Sequence, residues 1–517
     1  MYLDILITGG KIITLDPNKP EAAAVGIKDD TIALVEDSAQ SLHEAMPVAK
    51  HIDLRGAVLL PGFIDTHVHL LNTGIYQLLG VDCTVALTIT EVLEHISKKA
   101  NAIHTGDWIL GYGFDHEKIK ERRYPTANEL SEAAPYNPVF VQRRDGHSAA
   151  LNWEAMKLFK ISAGQPGVDT DESGRAIGVV RGMANTKVIE KLNRILVTPS
   201  LCERAYSTAA LEALKVGLTT VHALVGGKQT DLSTSWLIEN GLTLPVRTVV
   251  YDETTDVDRV KAEGLNRIGG CLLIDGSVGS WTAALYEPYS DNPSSSGVLY
   301  WDDDCLFQFI HKAHQEGLQV SMHAIGERAI DQLLSAYEKA IKKSPRWDHR
   351  HRVEHFLFPT WEAVDKAAEL GLVLAMQPAF EYFWGGVGNM YGSRLGPERV
   401  TRTKPIRTAL QKGIRVAGGS DSYVTPMWPL LGIHATVNHP NDAQRISVLQ
   451  AIELFTTNAA YAAFEEDKKG MIKRGYLADF VILAEDPRVI PSAKIKDISV
   501  LMTIVGGKLV YSACHFR

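Results

Sequence analysis

The segment Pro61-Gly62-Phe63-Ile64-Asp65-Thr66-His67-Val68-His69 sets two imidazoles two residues apart at the end of an apolar run. In a strand, residues two apart share a face, so Asp65, His67 and His69 point one way. Imidazoles roughly 6–7 Å apart at the backbone can converge on one ion with Zn–N bonds of about 2.0–2.1 Å. The alternative is a pair of core histidines bonded to carbonyls, which suffers because neutral imidazoles facing a core lack partners and lose solvation. Three further apolar runs end the same way: His323 after Val320-Ser321-Met322, His355 after Arg352-Val353-Glu354, and Asp421 after Val416–Ser420. Any one alone would read as structural. Four histidines and an aspartate at four such ends point to a metal. Of the 18 histidines, His43, His95, His104, His311, His314 and His515 fall in helical or terminal contexts that read as solvated surface.

Such a constellation needs elements that bring run ends together. Short apolar strands are expected at Gly62–Val68, Thr219–Leu224, Val246–Tyr251, Cys271–Asp275, Val320–Ala324, Arg352–Phe356, Leu372–Gln377 and Arg415–Gly419. Helical patterns lie between most of them, among them Leu306–Glu316, Ala329–Lys342 and Trp361–Leu370. Strand–helix alternation over eight strands predicts an α/β fold, a (β/α)8 TIM-like barrel, rather than an open doubly wound sheet. In a barrel the C-terminal strand ends form one face, and that face carries the chemistry. The long gap after the first strand has its own strands at Trp108–Gly111 and Pro138–Gln142, so it reads as an insertion subdomain. Residues 277–305, rich in Gly, Ser, Pro and Asp, read as an active-site loop. Both ends of the chain are β-rich and broken by Gly9-Gly10, Asp16-Pro17, Asp29-Asp30 and Gly506-Gly507, all turn signals. They predict a small β-sandwich domain made from residues 1–60 and 464–517. The barrel takes 61–75 and 205–463, and the insertion takes 76–204.

The motifs PGFIDTHVH, VSMHAIGERAID, HRVEH and AGGSD resemble the amidohydrolase superfamily. RRDGHSAALN (Arg143–Asn152), GLTTVHAL (Gly217–Leu224) and LLIDGSVGSWTAAL (Leu272–Leu285) are similar to the amidohydrolase family 3 branch, which includes N-substituted formamide deformylases. The resemblance covers nearly the whole chain. It implies one or two Zn(2+) ions, with His67 and His69 on the first and His323 and His355 on the second; other divalent metals suit the same donors. Asp421 would bind metal and act catalytically, taking a proton from a water whose pKa the metal lowers toward ~7 and passing it to the leaving nitrogen. Many family members carry a lysine where this chain has Cys271. A thiolate there can bridge two metals, but its short side chain requires the metals to lie nearer the strand. A small buried apolar cysteine is the competing reading.

Substrate contacts are expected from His147, in the insertion, and from His222, read as ending the second strand. The alternative for His147 is a loop-stabilising hydrogen bond; for His222 it is support of a ligand or a purely structural role. Asp275, on the face of Leu273 and Cys271, is expected to orient a ligand or the substrate; Arg143 and Arg144 suit a carboxylate. Trp281, Phe380, Tyr382, Phe383, Trp384 and Trp428 follow strand ends, where core packing or an apolar substrate pocket would place them. Gly385-Gly386-Val387-Gly388 predicts a segment free to move. The composition agrees with a globular enzyme. The chain has 517 residues, 45% hydrophobic and 22% charged, with 53 Lys+Arg against 61 Asp+Glu and a formal charge of −8. No basic excess marks a nucleic-acid partner, no apolar run reaches the roughly 18 residues of a membrane span, and five scattered cysteines make no disulfide framework. No signal peptide is evident, so a cytoplasmic location is expected, with a small-molecule substrate and room for a homo-oligomer. The expected function is hydrolysis of a non-peptide C–N bond, amide or formamide, in a small hydrophobic or aromatic molecule. The alternatives are a mononuclear deaminase of a nucleobase-like ring and a non-catalytic homologue. Deaminases carry a glutamate three residues after the strand-five histidine, and here Glu327 stands four after His323.

Overall fold

The computed structural model describes residues 2–38, 47–116, 118–143, 148–226 and 231–513. Eight strands form one parallel sheet in chain order: β1 (Phe63–Val68), β2 (Leu218–Gly226), β3 (Arg247–Glu253), β4 (Arg267–Ile268), β5 (Gln319–Ala324), β6 (Arg352–His355), β7 (Val373–Met376) and β8 (Arg415–Gly418). The ring closes between first and last strands. The Asp421 amide donates to the His67 carbonyl (2.8 Å) and the His69 amide to the Ser422 carbonyl (2.9 Å). Every residue of β1, β2, β5, β6 and β7 is buried, as a parallel sheet covered by helices requires. The helix Glu327–Lys343 buries Ile330, Leu333, Leu334 and Tyr337 on one stripe, the spacing of an amphipathic helix laid on a sheet. Helix starts follow cap chemistry. The Asp302 carboxylate accepts from the Cys305 amide and the Thr360 hydroxyl from the Ala363 amide, so these helices span Asp303–Gln315 and Trp361–Glu369.

The fourth strand departs from expectation. It was expected at Cys271–Asp275, but the regular pairing covers only Arg267–Ile268. Gly269 (φ +97°) and Gly270 (φ +55°) then turn left-handed, a conformation glycine tolerates and other residues resist. A Cβ on Gly269 would stand 2.2 Å from the Ser321 carbonyl oxygen, so the chain also passes too close to β5 for any side chain. Beyond this break, Leu272–Ile274 touches β5 again through His323 N to Leu272 O (3.1 Å) and Ile274 N to His323 O (3.0 Å). Cys271, Leu273 and Asp275 consequently do not share a strand face: Leu273 is exposed while Asp275 is fully buried. No regular element follows β4 until Asp303, among the described residues.

The chain ends build two further sheets. One runs Thr31–Glu36, Ala24–Lys28, Leu3–Thr8, Val48–Asp53. The other runs Lys508–Ser512, Val500–Val505, Phe480–Leu483, Val58–Pro61, Lys11–Asp16, Lys19–Ala22. Ile7, Val25 and Ile27 of the first pack with Leu59, Phe480, Ile482 and Ile504 of the second in one apolar core, the arrangement of a β-sandwich.

The described residues form two compact units, one within Met1–Leu70, Ala210–Gly227 and Thr234–Arg517, the other within Leu71–Ala209 and Lys228–Ser233. The second unit has a six-stranded sheet, ordered Val168–Thr170, Ala176–Arg181, Ser148–Leu151, Val139–Arg143, Ile109–Phe114, Gly80–Asp82, over a core that includes Val92, Ile96, Ile109, Val139 and Val141. Among the described residues no helix is long and apolar enough to cross a membrane, and Cys83, Cys202, Cys271 and Cys305 are free thiols.

Candidate metal centre

The C-terminal ends of β1, β5, β6 and β8, with Cys271 beyond the Gly269-Gly270 break, place six side chains together. His67 Nε2 lies 3.3 Å and His69 Nε2 3.1 Å from Asp421 Oδ1. Cys271 Sγ lies 3.7 Å from both His323 Nδ1 and His355 Nε2. Among the described residues, ligand atoms fall within 4.8 Å of one another in three sets: His67, His69, Asp421; His67, Cys271, His355; and His69, Glu253, Cys271. His67 and His69 each belong to two sets, and Cys271 links the two ends of the cluster.

Which nitrogen each ring offers is decided by what its other nitrogen touches. His67 Nδ1 is 2.6 Å from Glu354 Oε2, His355 Nδ1 is 2.7 Å from Gln377 Oε1, and His323 Nε2 is 3.1 Å from the Gly276 carbonyl. All three partners are acceptors, so in each neutral ring the proton sits on that side and the opposite nitrogen presents a lone pair. Those lone pairs face a carboxylate and a thiol sulfur. His67 Nε2 and Asp421 Oδ1 are buried and have no hydrogen-bond partner among the described residues. Acceptors gathered in this way repel one another until a cation lies between them, so the donor set fits a divalent ion.

The supports explain the alignment. Glu354 Oε1 is bonded by Arg352 Nε (2.7 Å), and the Ser321 hydroxyl donates to it (2.5 Å). Arg352 Nη2 donates to the Thr66 carbonyl (2.7 Å). Asp65 Oδ1 accepts from the amides of His67 (3.1 Å) and Ser420 (2.9 Å), fastening β1 to the chain after β8. Asp275 accepts from the amides of Ala284, Ile325 and Gly326 at 2.8, 3.0 and 2.8 Å and stands 3.4 Å from His323 Nε2. It is a fully buried clamp on the turn that follows His323 at the end of β5. Against the opposing effect of burial, and when a proton on the imidazoles takes the place of a metal cation, the charge of His67 and the closeness of His67 and His69 hold the Asp421 carboxyl well below the usual carboxylate range. Cys271 is likewise held well below the usual thiol range by His67, His323 and His355, again against burial. Burial pushes Glu253 up to about 7.

Other expected site residues lie elsewhere. His222 does not end its strand, because β2 continues to Gly226. It is fully buried, accepts from Arg352 Nη1 at 3.0 Å and stacks on Tyr251. Trp281 and Trp384 pack half-buried around Phe380 and Tyr391, and the Phe380 ring stacks on His355 at 6.0 Å. His147 and Arg144 lie outside the described residues; Arg143 Nε donates to His116 Nδ1 (3.1 Å). His314, read as surface, is buried, with Nδ1 2.8 Å from His351 Nε2. Sequence reasoning passed over Glu253, Glu354 and Gln377. Glu253 ends β3 just as the histidines end their strands, but β3 runs two residues past its expected end. Glu354 was hidden by strand parity: His355 turns left-handed (φ +72°), so neighbours in sequence serve one site.

The model of the amidohydrolase family matches residues 50–511. The chain belongs to this family. It is therefore a metal-dependent hydrolase of the class acting on C–N bonds. It is 30% identical to YtcJ of Bacillus subtilis (strain 168), whose name assigns it to the amidohydrolases provisionally, over 97% of this chain and 98% of that one. It is 26% identical to the N-substituted formamide deformylase of Arthrobacter pascens over 98% of each. The crystal structure of an uncharacterized metal-dependent hydrolase from Pyrococcus furiosus is 28% identical, with a TM-score of 0.77, covering 93% of this chain and 99% of that one.

Proposed function

We propose that this amidohydrolase cleaves an amide- or formamide-type C–N bond of a small molecule bearing an apolar or aromatic N-substituent, with zinc held by His67, His69, Cys271, His323, His355 and Asp421. The observation that carries the reading is the convergence of imidazole lone pairs on the Asp421 carboxylate and the Cys271 sulfur. A divalent ion bound there lowers the pKa of water toward ~7 and so supplies a nucleophile at neutral pH. Asp421 Oδ1 would be the group that takes a proton from water and gives it to the departing nitrogen. Glu354, through His67 Nδ1, and Gln377, through His355 Nδ1, keep the rings turned for this task. The exposed side chains of Leu273, Tyr423 and Val424 lie close in sequence to Cys271 and Asp421 and supply apolar surface for the N-substituent. The formamide deformylase relative supports the bond type. Free thiols, Cys271 foremost, suit the reducing cytoplasm.

A deaminase is the competing activity, and Glu327 argues against it. Its carboxylate accepts from Arg402 Nη2 (2.7 Å) and the Tyr286 amide (3.3 Å), a fixed ion pair rather than a free shuttle. Zinc-loaded protein should release formate and amine from N-benzylformamide, lose that activity to a chelator and regain it with zinc. Ammonia release from cytosine or adenine without hydrolysis of any N-acyl amine would overturn the proposal, as would full activity in metal-free protein.

A further inference from the structure

Beyond the metal centre, the helix Ala379–Trp384 that follows β7 carries a buried carboxyl group without a hydrogen-bond donor among the described residues. Glu381 is 2% exposed, and among the described residues neither of its carboxyl oxygens has a hydrogen-bond partner; burial pushes the group up to about 7 against the nearby charge of Lys404. The Thr403 hydroxyl nearby donates to the Val400 carbonyl instead (2.9 Å). Lys404, fully buried, directs its ammonium to the His355 carbonyl (3.4 Å) and Gln377 Oε1 (3.5 Å). The approach of His439 Nε2 is 4.0 Å, and burial holds that imidazole down to about 4, hence neutral. Leaving such a carboxylate without a donor is unfavourable in general, so its surroundings matter.

Glu381 lines a cavity of about 340 Å³, with Tyr382, Val387, Asn389, His434 and Pro440 among its walls. The cavity is shaped around the carboxylate. A Cβ on Gly385, which also lines it, would stand 2.1 Å from Glu381 Oε2, so only glycine leaves that oxygen open. Asn389 Nδ2 is committed to the Gly385 carbonyl (2.7 Å), which leaves its amide oxygen as a second acceptor. Tyr382 and His434 form an aromatic wall, edge to face at 5.6 Å. Acceptors, an aromatic ring and short apolar side chains suit an ammonium head on a small hydrocarbon tail.

We infer that this cavity is a binding site for small primary alkylammonium ions, with Glu381 as the anchoring group. The site is separate from the metal ligands and stands whether or not the metal centre cleaves amides. Titration calorimetry of the metal-loaded protein with n-propylammonium tests it. Saturable binding is expected, weakened at least about tenfold in Glu381→Gln, which removes a charged hydrogen bond. It is also expected to be abolished in Val387→Trp, which fills the cavity from an exposed position and leaves Glu381 intact. Tetramethylammonium, without N–H donors, and sodium should bind at least tenfold more weakly. Binding unchanged in the two variants would place the amine elsewhere, and equal binding of tetramethylammonium or sodium would remove the ammonium donor as the recognised group; either overturns the inference.

Discussion

Asp421 and His355 both adopt left-handed backbone, at φ +58° and +72°, a conformation that costs non-glycine residues about 1–3 kcal/mol. The surrounding hydrogen bonds hold that strain where Asp421 Oδ1 can face two imidazoles. Asp421→Asn keeps the shape and removes the proton acceptor. Turnover is expected to fall by about 10²–10⁴ while metal content, measured by elemental analysis, stays near the wild-type value on the four histidines and Cys271. Retained turnover would exclude Asp421 from proton transfer. Cys271 poses a different question, because its sulfur touches the second pair of imidazoles and shares a ligand set with each of the first. If it bridges, Cys271→Ala should drop the bound zinc from two ions to one and abolish activity. Unchanged stoichiometry would reduce it to a packing residue.

At the scale of elements, the break in the fourth strand is what delivers that sulfur. Gly269→Ala would add a Cβ against the Ser321 carbonyl at a left-handed position, a combination of backbone strain and overpacking worth about 2–4 kcal/mol. Chemical denaturation should show that loss together with reduced zinc affinity, while Gly264→Ala, left-handed but with open space around it, should lose less stability and keep its metal. The same break shows where sequence patterning stops. Apolar alternation located Val320–Ala324 and Arg352–Phe356 closely, because those strands are regular up to the ligands they carry. It misplaced the strand at Cys271, since a glycine pair removes the period on which the reading rests. It missed Glu354 because parity puts neighbours on opposite faces, and it read His222 as a strand end although apolar Ala223, Leu224 and Val225 carry β2 on to Gly226. Polar side chains at strand ends were legible; those acting through another residue carried no pattern of their own.

The whole molecule stores a pH response away from the metal. His314, His349 and His351 are buried together, with the His351 amide donating to His349 Nδ1 (3.0 Å) and the Val320 amide to His351 Nδ1 (3.0 Å). Burial, aided by neighbouring positive charge, pushes His349 down to about 4 and His351 well below its usual range. The folded protein thus keeps these rings neutral while the unfolded chain protonates them near 6.5. Stability from this source is complete above pH 6.5 and declines as pH falls toward about 4, by up to about 1.4 kcal/mol per pH unit for each ring. Denaturation between pH 7 and 4.5 should show this slope, and His349→Gln should flatten it; an equal slope in the variant would assign the response to other groups. The sheet that joins both ends of the chain bears on synthesis. Val58–Pro61 pairs with Phe480–Leu483, which leaves the ribosome roughly 400 residues later, some 20–80 s at about 5–20 residues per second. Throughout that interval the nascent polypeptide carries an unpaired apolar strand edge, so premature termination or a slow codon cluster ahead of residue 480 would favour aggregation and chaperone capture over a truncated but working product.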